Sequence, residues 1–204
     1  MREFFDFVRP LFRKLTQSQM DGLNVLLKAT EKLDIKTRAY LLATTFHETA
    51  KTMQPITEYG GVRYFDKYDT GRLAAALGNT PAKDGDGYRY RGRGYVMITG
   101  FANYAKASKK LNVDFINYPD QALDPTQAAN ILVKGCVEGW FTGKKLSDYI
   151  NKSKTDYVNA RRVVNDLDKA SLIADYAVFF EKALGKLPKR NWLLDLFREL
   201  GWLK

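Results

Sequence analysis

Residues 90–100 read Tyr90-Arg91-Gly92-Arg93-Gly94-Tyr95-Val96-Met97-Ile98-Thr99-Gly100. They close a segment, about residues 55–100, that holds nine of the 15 glycines and six of the 12 tyrosines. Glycine permits tight turns and close backbone approach. Because most of the remaining chain has helical periodicity, we expect this segment to form a cleft wall or a small β-element.

The rest of the chain predicts a mainly α fold. Thr16 is a candidate N-cap, and the residues from Ile35 to Ala50 keep apolar side chains at helical spacing. Further helices are predicted at residues 101–111, 124–138, 154–164, 168–184 and, as a C-terminal amphipathic helix, about 188–203. With no internal repeat or evident linker, we expect a single catalytic domain over residues 1–204.

The charge of the chain is its one unusual bulk property. There are 33 Lys and Arg residues against 23 Asp and Glu residues, a formal net charge of +10. Such a charge favours an anionic partner: nucleic acid, a membrane surface or a cell-wall polymer. The single Cys136 and the single His47 exclude a disulfide framework and zinc sites built from several Cys or His residues, so we expect no metal and no cofactor.

The N-terminal residues and the hydropathy predict where the protein is made. The first residues are aromatic and charged and lack the apolar core of a secretory signal. No stretch approaches the roughly 18 apolar residues of a membrane span. We therefore expect a protein that is cytoplasmic when made and that does not insert stably into membranes.

Two carboxyl groups are candidates for acid–base chemistry. Glu48 lies near the end of a helix whose face carries Tyr40, Leu41 and Thr44, and partial desolvation there would raise its pKa and suit it to general-acid work. Glu58 follows on a Pro- and Gly-interrupted loop. Glycosidases place two carboxyl groups across a groove in this way, but two Glu residues ten positions apart are weak evidence alone.

Three motifs together resemble glycoside hydrolase family 19, which contains chitinases and chitinase-like bacteriophage endolysins. They are His47-Glu48-Thr49 with a second Glu after it, the Tyr-x-Gly-Arg-Gly-x-x-x-Ile-Thr-Gly-x-x-Asn-Tyr pattern from Tyr90 to Tyr104, and the helix-ending stretch from Ala160 to Asn165. A related pattern follows over residues 174–181. The resemblance covers roughly residues 40–184, and the combination is more specific than any one motif.

This resemblance implies a lysozyme-like helical fold with two lobes and a deep cleft, and hydrolysis of β-1,4 links between N-acetylated amino sugars with inversion. By position, Glu48 would be the general acid, Glu58 the general base, and Thr99 the hydroxyl that holds the attacking water. Four further residues would line the sugar-binding cleft. They are His47, Tyr90, Asn103 and Asn165. The loop after Glu58 also offers Asp66 and Asp69 as the second carboxylate.

Departures from the chitinase pattern favour bacterial peptidoglycan over chitin. Met97 stands where chitinases commonly have Gln, Asp166 and the two residues after it replace a typical Asn-Gly-Gly, and the chitinases' cysteines are absent. We therefore predict a monomeric endolysin that cuts the glycan strand and reaches the wall of a lysing host cell through a holin-type membrane lesion. A chitinase is the alternative within the same fold.

An alternative of a different class is a basic nucleic-acid-binding protein. The charge permits it, but the basic residues are dispersed and no DNA-binding motif is present, so we expect no nucleic-acid partner. The basic, Trp- and Leu-rich stretch from Pro188 to Lys204 would either contact an anionic outer membrane or dock on the core; docking is the favoured interpretation. Cys136, on an apolar helix, is predicted to be packed core.

Overall fold

The structure is a computed structural model that describes residues 1–187 and is mainly helical, as predicted. The α-helices, numbered along the chain, are α1 (Arg2–Val8), α2 (Gln17–Ala29), α3 (Ile35–Glu48), α4 (Asp66–Asp69), α5 (Gly71–Leu77), α6 (Asp86–Arg89), α7 (Phe101–Leu111), α8 (Pro125–Glu138), α9 (Tyr157–Ala160) and α10 (Ala170–Leu184). Short 3-10 turns are Arg9–Leu11, Val62–Phe65, Pro119–Leu123, Leu146–Asp148 and Arg161–Val163. The C-terminal helix predicted at about 188–203 lies outside the described residues. Within residues 1–187, no helix is both long and apolar enough to cross a membrane.

Local sequence signals set where the long helices begin. The predicted N-cap at Thr16 is confirmed: its hydroxyl accepts from the Gln19 N–H, and the Gln19 side chain accepts from the Thr16 N–H at 2.9 Å. Asp34 caps α3 and Asp124 caps α8 through their carboxylates. These caps satisfy N–H groups that the first helical turn leaves without partners.

The centre of the main core is α3. Its residues from Ala39 to Phe46 are all buried, so it is a core helix enclosed on every side. Its most extensive helix contact is with α10, where the Phe46 ring meets Phe180 and Tyr176 edge to face. The predicted core position of Cys136 is confirmed by its complete burial. Because the buried stretch of α3 runs to Phe46, two residues before its end, the last residue, Glu48, is also held in place.

A second, smaller lobe has its own aromatic centre. Phe65 is completely buried but does not belong to the main core cluster. Its ring contacts Tyr64, Tyr68 and Tyr88 at centroid distances of 5.0, 6.1 and 5.7 Å. The 3-10 turn Val62–Phe65 and the short helices α4 and α6 contact one another around this centre. The part of the glycine- and tyrosine-rich segment from Val62 to Arg89 therefore forms a lobe of its own, whereas Tyr90 and Tyr95 belong to the main core.

The predicted small β-element is an antiparallel two-stranded sheet of β1 (Ile56–Thr57) and β2 (Arg93–Gly94). Ile56 pairs with Gly94 and Thr57 with Arg93. After β2 the chain folds back, so that Arg93 and Ile98 exchange two backbone hydrogen bonds of 3.2 and 3.0 Å. Gly94 has φ +89°, a value that glycine adopts without steric cost. The sheet and this turn bring the stretches around Glu58 and Thr99 to the same part of the molecule.

Candidate active site

Glu48 ends α3, and its carboxylate is paired with a buried arginine. The Arg161 Nη1 lies 2.5 Å from the Glu48 Oε1, and the side chains are 3% and 18% exposed, respectively. The Arg161 Nε donates to the Asp168 carbonyl at 3.1 Å, which fixes the guanidinium from a second side. The Glu48 carboxylate is therefore held in one orientation, with one oxygen engaged by a cation.

Arg161 is the functional candidate that the sequence argument missed. The helix pattern around Glu48 predicts an apolar environment, and Tyr40, Leu41 and Thr44 are indeed buried. The cation comes instead from the 3-10 turn after α9, 113 residues further along the chain. One signal was available: Arg161 lies in the Ala160–Asn165 motif, at a position where the apolar pattern would bury it.

Glu58 follows β1, and both of its carboxylate oxygens accept hydrogen bonds. Its Oε2 accepts from the Gly92 N–H at 3.1 Å, and its Oε1 accepts from the Tyr68 hydroxyl at 3.1 Å. Its own N–H donates to the Gly92 carbonyl at 2.8 Å. The side chain is half-buried. Backbone and side-chain donors from two segments therefore orient this carboxylate.

The pKa of the Tyr68 hydroxyl is raised above its ordinary value, first because the group is partly buried and second because it faces the Glu58 carboxylate. Ionising this phenol beside an anion would place two negative charges in contact. Tyr68 therefore remains a hydrogen-bond donor to Glu58 at neutral pH.

The two aspartates offered as alternatives have other partners. Asp66 pairs with the Lys83 ammonium at 2.7 Å. Asp69 is 3% exposed and accepts from the Gly87 N–H, an arrangement that holds α4 against α6. Of the three carboxylates on this loop, Glu58 is the one that contacts the Gly92 segment.

Thr99 lies on the turn beyond the Arg93–Ile98 pairing. Its hydroxyl donates to the Met97 carbonyl at 2.8 Å, and its lone pairs can still accept from a water. The Asn103 side-chain amide donates to the Thr99 carbonyl at 2.8 Å, so Asn103 supports the turn that carries Thr99. Both side chains are partly exposed.

The other three predicted cleft residues, His47, Tyr90 and Asn165, lie in different surroundings. Tyr90 is 4% exposed, its hydroxyl donates to the Ile116 carbonyl at 3.4 Å, and its ring packs on Phe101 and Tyr104. His47 is partly exposed beside Glu48. Asn165 is exposed and lines a concavity of about 300 Å³ with Thr142, Lys144 and Arg162 among its neighbours. Tyr90 therefore shapes the loop from within the core rather than from the surface.

Comparison with known proteins assigns the fold. The chain superposes on chitinase C from Streptomyces griseus HUT6037 with a TM-score of 0.61 and 16% identity, covering 93% of this chain and 78% of that one. It superposes on a bacterial family 19 chitinase with a TM-score of 0.53 and 18% identity, covering 93% and 96%. The chain therefore has the fold of the family 19 chitinases, and the resemblance predicted from the sequence is confirmed for the fold.

The sequence similarity to one curated protein covers a short segment. A 41-residue stretch is 54% identical to a Haemophilus influenzae protein described as a glycosyl hydrolase family 19 domain-containing protein. The match covers 20% of this chain and 20% of that protein, so the chain spans about a fifth of the length of the curated relative it matches. No protein-family model matches the chain.

Proposed function

We propose that this protein is an inverting glycoside hydrolase that cuts the β-1,4 glycan strand of bacterial peptidoglycan. The observation that carries the proposal is a pair of oriented carboxylates, one at the end of α3 and one directly after β1. Glu48 is held by Arg161 at the end of the central helix, and Glu58 is held by Tyr68 and Gly92 beside the sheet. A glycosidase needs one carboxyl group as acid and one as base.

We assign Glu48 the role of general acid from its place in the His47-Glu48-Thr49 motif. Arg161 engages Oε1, so the proton to be donated would be carried on Oε2, which has no protein partner among residues 1–187. As the leaving sugar oxygen takes this proton, Glu48 becomes an anion, and the Arg161 guanidinium stabilises that charge. Because the same ion pair also favours the carboxylate before the reaction, the proposed acid has to acquire its proton in the enzyme–substrate complex.

Glu58 and Thr99 are proposed to hold the attacking water. Glu58 is oriented by donors, so its remaining lone pairs can accept one water proton while the water oxygen attacks the sugar carbon from the face opposite the leaving group. The Thr99 hydroxyl already donates to Met97, so it can act only as an acceptor from the same water. In inverting glycosidases the two carboxyl groups lie roughly 6.5–9.5 Å apart, which leaves room for this water.

Charge supports peptidoglycan as the substrate. The wall polymer is anionic, chitin is neutral, and the protein carries a formal charge of +10. Met97 at a position where chitinases commonly have Gln points the same way. We further propose that the protein works as a monomeric endolysin, made in the host cytoplasm and admitted to the wall by a membrane lesion.

Chitin hydrolysis is the second candidate. It is favoured by structural neighbours that are chitinases. The two candidates share the carboxylates and differ in the polymer that the cleft accepts.

Mass spectrometry of soluble fragments separates these candidates. Purified peptidoglycan and chitin are digested in parallel by the wild type and by Glu48→Gln, with Glu3→Gln on the exposed face of α1 as a matched control. We expect reducing, non-anhydro muropeptides from the wild type and from Glu3→Gln, and none from Glu48→Gln. Fragments from chitin alone would identify a chitinase, and anhydro ends would exclude hydrolysis.

A further inference from the structure

A cavity of about 520 Å³ lies beside the Gly92 segment and is lined by three arginines. They are Arg89, Arg91 and Arg93, with the ring of Tyr88 at one side. Its volume is in the range of small-ligand sites, roughly 300–1,000 Å³. Neither the proposed proton transfers nor the sugar-lining residues described above use this cavity.

The chemistry of the lining favours a carboxylate ligand. Arg91 donates to the Tyr88 carbonyl at 2.7 Å and stacks 4.0 Å from the Tyr88 ring, while Arg89 donates to the Ile116 carbonyl at 3.2 Å. Across residues 1–187 neither guanidinium pairs with a carboxylate. Since a guanidinium has five N–H donors, most of those on Arg89 and Arg91 are available to a bound anion.

Arg93 forms the fixed floor of the cavity. It is 3% exposed and donates to Asp120, to two backbone carbonyls and to the Tyr104 hydroxyl. A buried cation held by so many acceptors cannot move away when a ligand leaves. Arg93 is therefore a preformed cation at the base of the cavity, with Asp120 as its partner.

Three carboxylates, equal in number to the arginines, also line the cavity and limit which anions fit. Asp120 pairs with Arg93 at 2.8 Å, and Asp84 and Asp86 accept hydrogen bonds from Thr80. The pKa of Asp84 is lowered, chiefly by the Thr80 hydroxyl, so this group is ionised at neutral pH. These charges disfavour a dianion and can receive an ammonium group, so the lining suits a ligand with both carboxylate and ammonium groups.

The cavity lies on the opposite side of one short segment from the proposed base. Gly92 faces Glu58, because a Cβ added there would lie 3.1 Å from the Glu58 Oε2, whereas its neighbours Arg91 and Arg93 line the cavity. A peptide of four residues reaches roughly 13–14 Å when extended. We expect a peptide of that length, attached to a glycan in the cleft, to reach the cavity on the other side of this segment.

We infer that the cavity binds the free carboxylate of a peptide stem that branches from the glycan strand, and so selects peptidoglycan over unsubstituted glycans. This inference rests on the proposed function for the identity of the polymer. It assigns Arg89 and Arg91 to the recognition of the stem and leaves the bond-breaking groups unchanged.

The direct test is a titration of the full-length protein with a synthetic stem tetrapeptide, read by NMR or calorimetry. We expect binding that weakens at least about fivefold in Arg91→Gln and in Arg89→Gln, the loss of a charge-assisted contact. Arg13→Gln removes the same charge from an exposed site outside the cavity and should bind as the wild type does. The peptide with all carboxylates amidated should not bind.

Kinetics give the second readout. The ratio of kcat/KM on stem-bearing strands to kcat/KM on strands stripped of stems by an amidase should exceed one for the wild type and fall in both cavity variants. No peptide binding, equal binding by the cavity variants, or equal affinity for inorganic phosphate would overturn the inference. If neither polymer is cut, the proposed function fails, and the titration still decides whether the cavity binds peptide carboxylates.

Discussion

The Arg161 guanidinium lies 2.5 Å from the Glu48 carboxylate and joins the turn after α9 to the end of α3. This contact joins α3, which Glu48 ends, to the turn after α9. The helix α10, which follows that turn, also packs on α3. The same contact fixes the orientation of the proposed acid and contributes to the main body of the protein.

A double-mutant cycle tests this contact. Arg161→Gln and Glu48→Gln each leave a largely buried charge without its partner, so each should lower the free energy of unfolding by about 2–4 kcal/mol. The double variant should lose less than the sum, with a coupling free energy of about 1–3 kcal/mol in denaturant titrations. The exposed pair Arg162 and Asp166 is the matched control and should show little coupling. Additive losses for Arg161 and Glu48 would mean that the contact does not stabilise the fold.

Substitution of each loop carboxylate by its amide identifies the second catalytic group. Glu58→Gln should reduce kcat by about 10²–10⁴-fold, because the amide cannot take a proton from water. Asp66→Asn should keep near wild-type kcat, because Asp66 pairs with Lys83 outside the Gly92 contact. Initial rates on purified peptidoglycan provide the measurement. If Asp66→Asn lost activity and Glu58→Gln kept it, the role of base would pass to Asp66.

The helices could be predicted from the sequence because their signals are local. The cap at Thr16 and the bounds of α7 and α8 follow from residues within a few positions of each other. The contacts that build the site are not local: Arg161 meets Glu48 across 113 positions, and Gly92 meets Glu58 across 34. No periodicity encodes such pairings, so the motif resemblance indicated the residues but not the partners that hold them.

Gly92 should tolerate no side chain without a loss of activity. An added Cβ would lie 3.1 Å from the Glu58 Oε2 and 3.2 Å from the Met97 Cε, so Gly92→Ala should displace the Glu58 carboxylate. We expect at least a tenfold drop in kcat, about 1.4 kcal/mol in the barrier, with the helical circular dichroism unchanged. Gly61→Ala is the control, because its Cβ would meet nothing within 4 Å and its φ of −76° suits alanine. Equal activity in the two variants would separate Gly92 from the site.

Buried tyrosines predict a loss of stability at alkaline pH. Burial raises the pKa of Tyr104 from 10.0 to about 12, and it also raises the pKa of Tyr40, Tyr95 and Tyr157. Between pH 10 and pH 12 the unfolded chain loses the Tyr104 phenol proton while the folded chain keeps it. Stability is therefore complete below pH 10 and falls as the pH rises towards 12, by about 3 kcal/mol for Tyr104 alone.

Unfolding titrations from pH 8 to pH 11 measure this decline. In Tyr104→Phe the slope above pH 10 should be shallower, although the variant starts from a lower free energy of unfolding because it loses the hydrogen bond that Tyr104 accepts from Arg93. Tyr59, which is 98% exposed, is the control, and Tyr59→Phe should leave the slope as it is. A flat profile through pH 11 in the wild type would contradict the raised pKa values.

Salt should separate the approach of the protein to the wall from the chemistry at its site. The Debye length falls from about 10 Å at 0.1 M salt to about 3 Å at 1 M, so the attraction between a protein of charge +10 and an anionic polymer is largely screened at high salt. Lysis of wall preparations should therefore slow several-fold over this range. Cleavage of a short neutral N-acetylglucosamine oligosaccharide should barely change, because its encounter with the cleft involves no long-range charge. A parallel fall in both rates would place the salt effect on the carboxylates themselves, and the excess of Lys and Arg would then have no part in reaching the substrate.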